Sequence, residues 1–107
     1  METKAGLYLE GQQASFETKS IIGYLDSIVI EADNNVEIII ESQLGYCILK
    51  EAGFIGVKTF MPRGRISSPD AGLLDRLSFD KFLLNESLII TVIGPKKTQV
   101  DLIIRSI

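Results

Sequence analysis

The most constraining feature of this sequence is its supply of β-branched residues, which come in short bursts separated by turn formers. Sixteen of the 107 residues are isoleucine, and Gly, Asn, Asp or Pro bounds most of the apolar runs. Such runs are typical of strands, whereas apolar residues at helical spacing are hard to find. The pattern therefore predicts an all-β domain whose neighbouring strands are antiparallel and joined by turns.

Two successive hairpins are predicted in the first half of the chain. Residues 24–31 form an apolar run that stops at Asp33-Asn34-Asn35, three residues suited to a tight turn. Residues 36–41 then alternate with a period of two, as expected for the partner strand. Residues 44–50 and 55–60 are predicted to pair in the same way as a second hairpin.

The rest of the chain is assigned to one long loop, two closing strands and an N-terminal arm. Pro and Gly recur over residues 61–78, which predicts a long loop there. Residues 87–93 and 98–105 read as strands joined by a turn, and residues 1–13 are expected to form an arm before a single domain over 14–107. The expected fold is an antiparallel β-sandwich, jelly-roll-like or Ig-like, of seven to eight strands.

Charge and residue types narrow the possible functions. Eleven Lys and Arg residues against 14 Asp and Glu residues leave a net charge of −3, which argues against nucleic acid as the main partner. With no His and one Cys, the chain lacks the residues for His-based triads, most zinc sites and an internal disulfide. Glu37 and Glu41 share a strand face at roughly 13 Å, beyond the ~5–9.5 Å of glycosidase pairs. We therefore expect no catalytic residues, no metal and no cofactor.

Three further expectations concern the membrane, the cellular compartment and the single cysteine. No apolar stretch approaches the ~18–20 residues of a membrane-spanning helix, and the first residues do not resemble a secretory signal. Membrane is therefore not an expected partner, and synthesis in a reducing cytoplasm is expected. Cys47, between Tyr46 and Ile48, is interpreted as a small buried apolar residue.

Apolar side chains occur on both sides of the final strands. If Leu88, Ile90 and Val92 face the core, Ile89 and Ile93 face outward, and Ile103 does the same in the last strand. Three explanations remain open: the long loop and the arm cover this face, the facing of one strand is misassigned by a one-residue register step, or a second protein covers the face, most simply another copy of the chain. Ile89, Ile93 and Ile103 are accordingly the candidate apolar contact residues.

A polar rim is the second candidate contact element. Arg63 and Arg65 flank a glycine in the predicted long loop, and Arg76 follows downstream. Paired guanidinium groups in a loop suit bidentate binding of a partner's carboxylates or phosphates, although an ordinary solvated loop is the simpler explanation.

The order of segments over residues 20–106 resembles small β-rich structural proteins of tailed bacteriophages, of the head-decoration, connector or tail-accessory type. The resemblance is carried by Ile22-Gly23-Tyr24-Leu25-Asp26-Ser27-Ile28, the following hairpin, Leu44-Gly45-Tyr46-Cys47-Ile48, Met61-Pro62-Arg63, and Phe82-Leu83-Leu84-Asn85-Glu86 before Leu88-Ile89-Ile90. It implies a β-sandwich subunit present in many copies on a virion, made in the host cytoplasm. Its partners would be copies of itself or other virion proteins.

A function from another class stays open. A ligand-binding or adaptor β-domain could hold a sugar or a peptide strand between the long loop and an open sheet edge. A solitary monomer with a pocket beside residues 61–78 would favour this alternative over a structural subunit.

Overall fold

The computed structural model describes the backbone of residues 1–66, 78–80 and 82–107, and the side chains of residues 1–63 and 82–107. Nine strands occur in these residues: β1 Glu2–Tyr8, β2 Gln13–Glu17, β3 Ile21–Ser42, β4 Cys47–Phe60, β5 Gly64–Ile66, β6 Ser78–Asp80, β7 Leu83–Glu86, β8 Leu88–Ile93 and β9 Gln99–Ser106. The prediction of an all-β chain is confirmed.

Seven of these strands form one antiparallel sheet. Its strand order is β1-β9-β3-β8-β2, with β4 and β7 also paired to β3, while β5 and β6 form a separate two-stranded ladder. The sheet curls nearly into a barrel. The predicted sandwich is not confirmed, because these seven strands belong to a single hydrogen-bonded sheet rather than to two sheets.

The long strand β3 organises the sheet. One of its edges pairs with β4 over residues 28–41, and the opposite edge pairs first with β9 and then with β8. Its first residue, Ile21, lies opposite Glu86 of β7, whereas its last, Ser42, lies opposite Leu88 of β8. Only Ser87 separates β7 from β8, so the two ends of β3 are brought together and the strand curls.

The first predicted hairpin is wrong, because β3 runs through the predicted turn. Residues 33–35 mark the place where β3 changes its partner from β9, which pairs up to Ala32, to β8, which pairs from Glu37. The register with β4 also shifts here. Asp33 Oδ1 accepts a hydrogen bond from the Gln99 amide at 3.0 Å. These polar residues therefore serve a bend within a continuous strand rather than a chain reversal.

The second predicted hairpin is wrong for a related reason. Residues 47–60 form one strand, β4, and the chain reverses earlier, between β3 and β4. The Ser42 amide donates to the Tyr46 carbonyl at 2.9 Å, and the Ser42 hydroxyl accepts from the Leu44 amide at 2.9 Å. The side-chain hydrogen bond of Ser42 stabilises a turn at the place where the sequence pattern predicts the start of an apolar strand.

The closing segment also differs from a hairpin. The strands β8 and β9 are confirmed, but both run antiparallel to β3 along the same edge, one after the other. Residues 94–98 therefore connect two strands of the same direction. Within this connection the Lys97 amide donates a 2.7 Å hydrogen bond to the Leu9 carbonyl, which joins the connection to the segment between β1 and β2.

The N-terminal segment and the long loop also differ from the predictions. Residues 1–13 are not a separate arm, since Glu2–Tyr8 forms β1 and pairs with β9 over its whole length. The predicted loop over residues 61–78 contains β5, whose Gly64–Ile66 pairs with β6, while residues 67–77 lie outside the described residues. The N-terminal strand gives a weak signal because its inward-facing positions, Thr3, Ala5 and Leu7, include only one large apolar residue.

The core lies on the concave face of the curled sheet. As predicted, one face of β8 (Leu88, Ile90, Val92) and one face of β9 (Val100, Leu102, Ile104) are buried. Isoleucines of β3, including Ile28, Ile30, Ile38 and Ile40, pack against them. Cys47 is exposed rather than buried, since it follows the turn directly and lies opposite the partly exposed Glu41 on the outer face.

Candidate interaction surfaces

Ile89 and Ile93 face outward from β8, as the alternation predicts, but they lie among acidic residues. Ile89 is opposite Glu17 on β2 and Glu41 on β3. Ile93 is opposite Glu37 on β3. Both isoleucines are 37% exposed. Because directly opposite side chains on a sheet face contact each other, the long glutamate stems cover part of each isoleucine.

Ile103 belongs to a different part of the outer face. On β9 it lies between Lys4 of β1 and Val29 of β3, and it is only partly exposed. The connection at residues 94–98 and the bend in β3 separate it from Ile89 and Ile93 along the sheet. The structure therefore does not join the three predicted isoleucines into one apolar surface.

The three predicted arginines do not form a described rim. The Arg63 guanidinium is partly buried and donates to the Asp26 carbonyl at 3.1 Å and to the Pro62 carbonyl at 2.8 Å. The bond to Asp26 holds the segment that follows β4 against β3, which is a structural role. Arg65 is described only by its backbone in β5, and Arg76 lies outside the described residues.

A more exposed apolar surface lies where β3 begins. We call it the terminal apolar patch and define it as Ile22, Tyr24, Leu83 and Ile107, with 66%, 49%, 66% and 68% of their surfaces exposed. These values are well above those of Ile89 and Ile93. Four large apolar residues at this exposure present on the order of 400–500 Å², about the size of the largest apolar patch on a typical monomer.

The backbone places the four side chains on one face. Tyr24 is directly opposite Leu83 in the β3–β7 ladder. On the other edge, Tyr24 and Ile107 exchange two backbone hydrogen bonds of 2.8 Å each. Leu83, Tyr24 and Ile107 therefore form a row across three strands, and Ile22 extends it along β3.

The sequence contains a weak signal for this patch. Residues 21–25 carry apolar side chains on both faces of the strand: Ile21 and Leu25 are buried, whereas Ile22 and Tyr24 are exposed. The neighbours Leu83 and Ile107 come from distant parts of the chain and join only through pairing with β3. Sequence reasoning missed the patch because no local window contains its members.

The described residues contain neither a group of metal-ligating side chains nor a membrane-spanning helix. Among the residues whose side chains are described, no three His, Cys, Asp or Glu residues form a group that could hold a metal ion. In the same residues there is no helix long and apolar enough to cross a membrane.

No protein-family model matches the chain, and no curated protein is detectably similar to it in sequence.

Proposed function

We propose that this chain is a non-enzymatic structural subunit that works through protein–protein contacts, of the kind that tailed bacteriophages build into their particles. Two separate features of the chain support the proposal. The contact role rests on the terminal apolar patch, and the placement on a virion rests on the resemblance in segment order. Synthesis in the host cytoplasm and assembly with copies of itself or other virion proteins belong to the same proposal.

The observation that carries the contact role is the exposure of the patch. An isoleucine or leucine that is two-thirds exposed would gain about 1–2 kcal/mol if a partner covered it. A dimer through this patch alone would bury roughly 1,000 Å² in total, near the lower limit for specific interfaces. The expected self-association is therefore weak in free subunits and favoured at high local concentration, as on a lattice.

The acidic face around Ile89 and Ile93 is less suited to self-association. Glu37 is paired with Lys50 at 3.9 Å, but a second copy approaching this face would still bring its own Glu17 and Glu41 toward the same residues of the first. Like charges that face one another oppose binding, whereas the four patch residues include no charged side chain. The patch is therefore the favoured contact between copies.

Light scattering coupled to size exclusion over a range of concentrations tests the proposal. We expect the wild-type mass to rise above the 11.8 kDa of one chain as concentration increases. A double variant in which both Ile22 and Leu83 are changed to Asp should keep the mass of a single chain at every concentration. The matched control is a double variant in which both Ile89 and Ile93 are changed to Asp, and it should associate like the wild type.

Two results would contradict the proposal. A wild-type mass of one chain at every concentration would remove the case for self-association and favour a ligand-binding or adaptor β-domain. Loss of association in the Ile89 and Ile93 variant, with the Ile22 and Leu83 variant unaffected, would transfer the contact to the acidic face. Circular dichroism of both variants establishes that they are folded.

A further inference from the structure

The open seam of the curled sheet forms a cleft that the proposed contact role does not use. The strands β1 and β2 are the two ends of the main strand order and contact each other, but among the described strands no ladder joins them. The gap holds a cleft of about 390 Å³, lined by residues 1–4, Phe16, Lys19 and Ser20. This volume lies in the range of roughly 300–1,000 Å³ that small-molecule sites occupy.

The charged groups around the cleft leave it cationic. Lys4 and Lys19 are exposed, and neither forms an ion pair with any residue whose side chain the structure describes. The carboxylate of Glu2 is engaged by Arg105, with 3.2 Å between Glu2 Oε1 and Arg105 Nε. Two unpaired ammonium groups thus border a cleft in a chain whose net charge is −3. This local reversal of charge favours an anionic ligand.

Phe16 supplies an apolar wall. It lies opposite Ile90, whose side chain is fully buried, so the phenylalanine ring is on the concave side of the sheet. The ring nevertheless remains 38% exposed, because it lies at the seam where the sheet is not closed. An apolar group entering the cleft would cover this ring and gain free energy by leaving water.

We propose that the seam cleft binds a small amphiphilic anion, namely an organic carboxylate with an alkyl or aryl body. The body packs against Phe16. The carboxylate lies at the edge of the cleft, near the ammonium group of Lys19 and that of Lys4, whose side chain begins on the outer face opposite Ile103. At about 30 Å³ per water-sized group, the cleft has room for roughly a dozen heavy atoms, which suits a medium-chain acid. The proposal is independent of self-association through the terminal apolar patch.

Titration of sodium octanoate into isotope-labelled protein, followed by two-dimensional NMR, tests this site. We expect saturable shift changes confined to residues 1–4 and 16–20 and their immediate neighbours. Lys4→Gln and Lys19→Gln should each weaken octanoate binding roughly two- to fivefold, the range for exposed charge pairs. Lys96→Gln, which removes an exposed lysine in the connection between β8 and β9, is the matched control and should change nothing.

Octanol separates the apolar contribution from the charge contribution. It should bind more weakly than octanoate, and the two lysine substitutions should leave its affinity unchanged. Phe16→Ser should weaken both compounds. Added salt should weaken octanoate binding alone, because salt screens exposed charges.

Three results would overturn the proposal. These are shift changes that map elsewhere, octanoate affinity that is unchanged in both lysine variants, and octanol binding as tight as octanoate binding. The dispersion of each variant's spectrum shows whether it is folded. Since the readout is ligand binding rather than mass, failure here leaves the association test unaffected.

Discussion

Replacing Gly23 with alanine should destabilise the domain more than the same change at three comparison glycines. Gly23 has a φ of +115°, a conformation that L-residues rarely adopt. A Cβ atom built on it would lie 2.6 Å from the carbonyl oxygen of Ile107. Because this neighbour is backbone, no rotation of a side chain relieves the contact, and the end of β9 has to move away from β3.

The magnitude follows from two contributions. The backbone conformation costs a residue with a Cβ atom about 1–3 kcal/mol. Moving Ile107 weakens the two 2.8 Å hydrogen bonds that it shares with Tyr24, each contributing about 1 kcal/mol. The Gly23→Ala variant should therefore lose roughly 3–5 kcal/mol, a large part of the 5–15 kcal/mol that stabilises a typical domain.

The comparison glycines separate these contributions. Gly56 has a φ of +96° with open space around its Cβ position, so Gly56→Ala should cost only the conformational part, about 1–3 kcal/mol. Gly94 has no positive φ, but its Cβ atom would lie 2.8 Å from Val36 Cγ1, so Gly94→Ala should cost about 1–3 kcal/mol through overpacking. Gly11 has neither feature, and Gly11→Ala should be neutral or stabilising by about 0.4–1 kcal/mol.

Urea unfolding followed by far-UV circular dichroism gives the free energy of unfolding for all four variants. If Gly23→Ala is as stable as Gly11→Ala, the backbone conformation assigned to Gly23 is wrong. If Gly23→Ala matches Gly56→Ala, the contact with Ile107 contributes nothing and the row of the terminal apolar patch across β9 is not as described. Either result would refute the reasoning.

Two further experiments test the contact between Thr18 and β8 and the exposure of Cys47, which follows the turn between β3 and β4. Thr18 is buried, and its hydroxyl accepts a 2.9 Å hydrogen bond from the Leu88 amide. Thr18→Val should therefore lower the free energy of unfolding by about 1–3 kcal/mol, whereas Thr18→Ser keeps the bond and should lose less; equal urea midpoints for the two would contradict this role. Cys47 is exposed, so a maleimide should label it in the native protein at nearly its rate in urea, and strong native protection, measured by mass spectrometry, would contradict its placement.

The facing of the last two strands could be read from the sequence without further information. Side chains in a strand alternate between two faces, so the positions of Leu88, Ile90 and Val92 determine that Ile89 and Ile93 face outward. The residue pattern also predicts the all-β class, because β-branched runs separated by turn formers have few alternatives. The structure confirms both of these predictions.

The turns could not be assigned in the same way, because the same residue types occur in hairpin turns and in bends within a continuous strand. Asp33, Asn34 and Asn35 suit a hairpin turn, but here they form a bend at which β3 exchanges β9 for β8. The choice depends on which strands lie alongside, and that information is spread over more than sixty residues of chain. Local propensity is identical in both cases, so only the tertiary structure distinguishes them.

The candidate site shows the same division. The amino-acid sequence alone determined which residue types are available, which faces of the final strands are apolar, and that the chain carries net negative charge. The tertiary structure decided which of these residues meet. Ile22, Tyr24, Leu83 and Ile107 become one surface only because β7 and the end of β9 pair with β3 on opposite edges. Sheet faces are assembled across strands, and hydrogen-bond register sets their neighbours at a range that no sequence window covers.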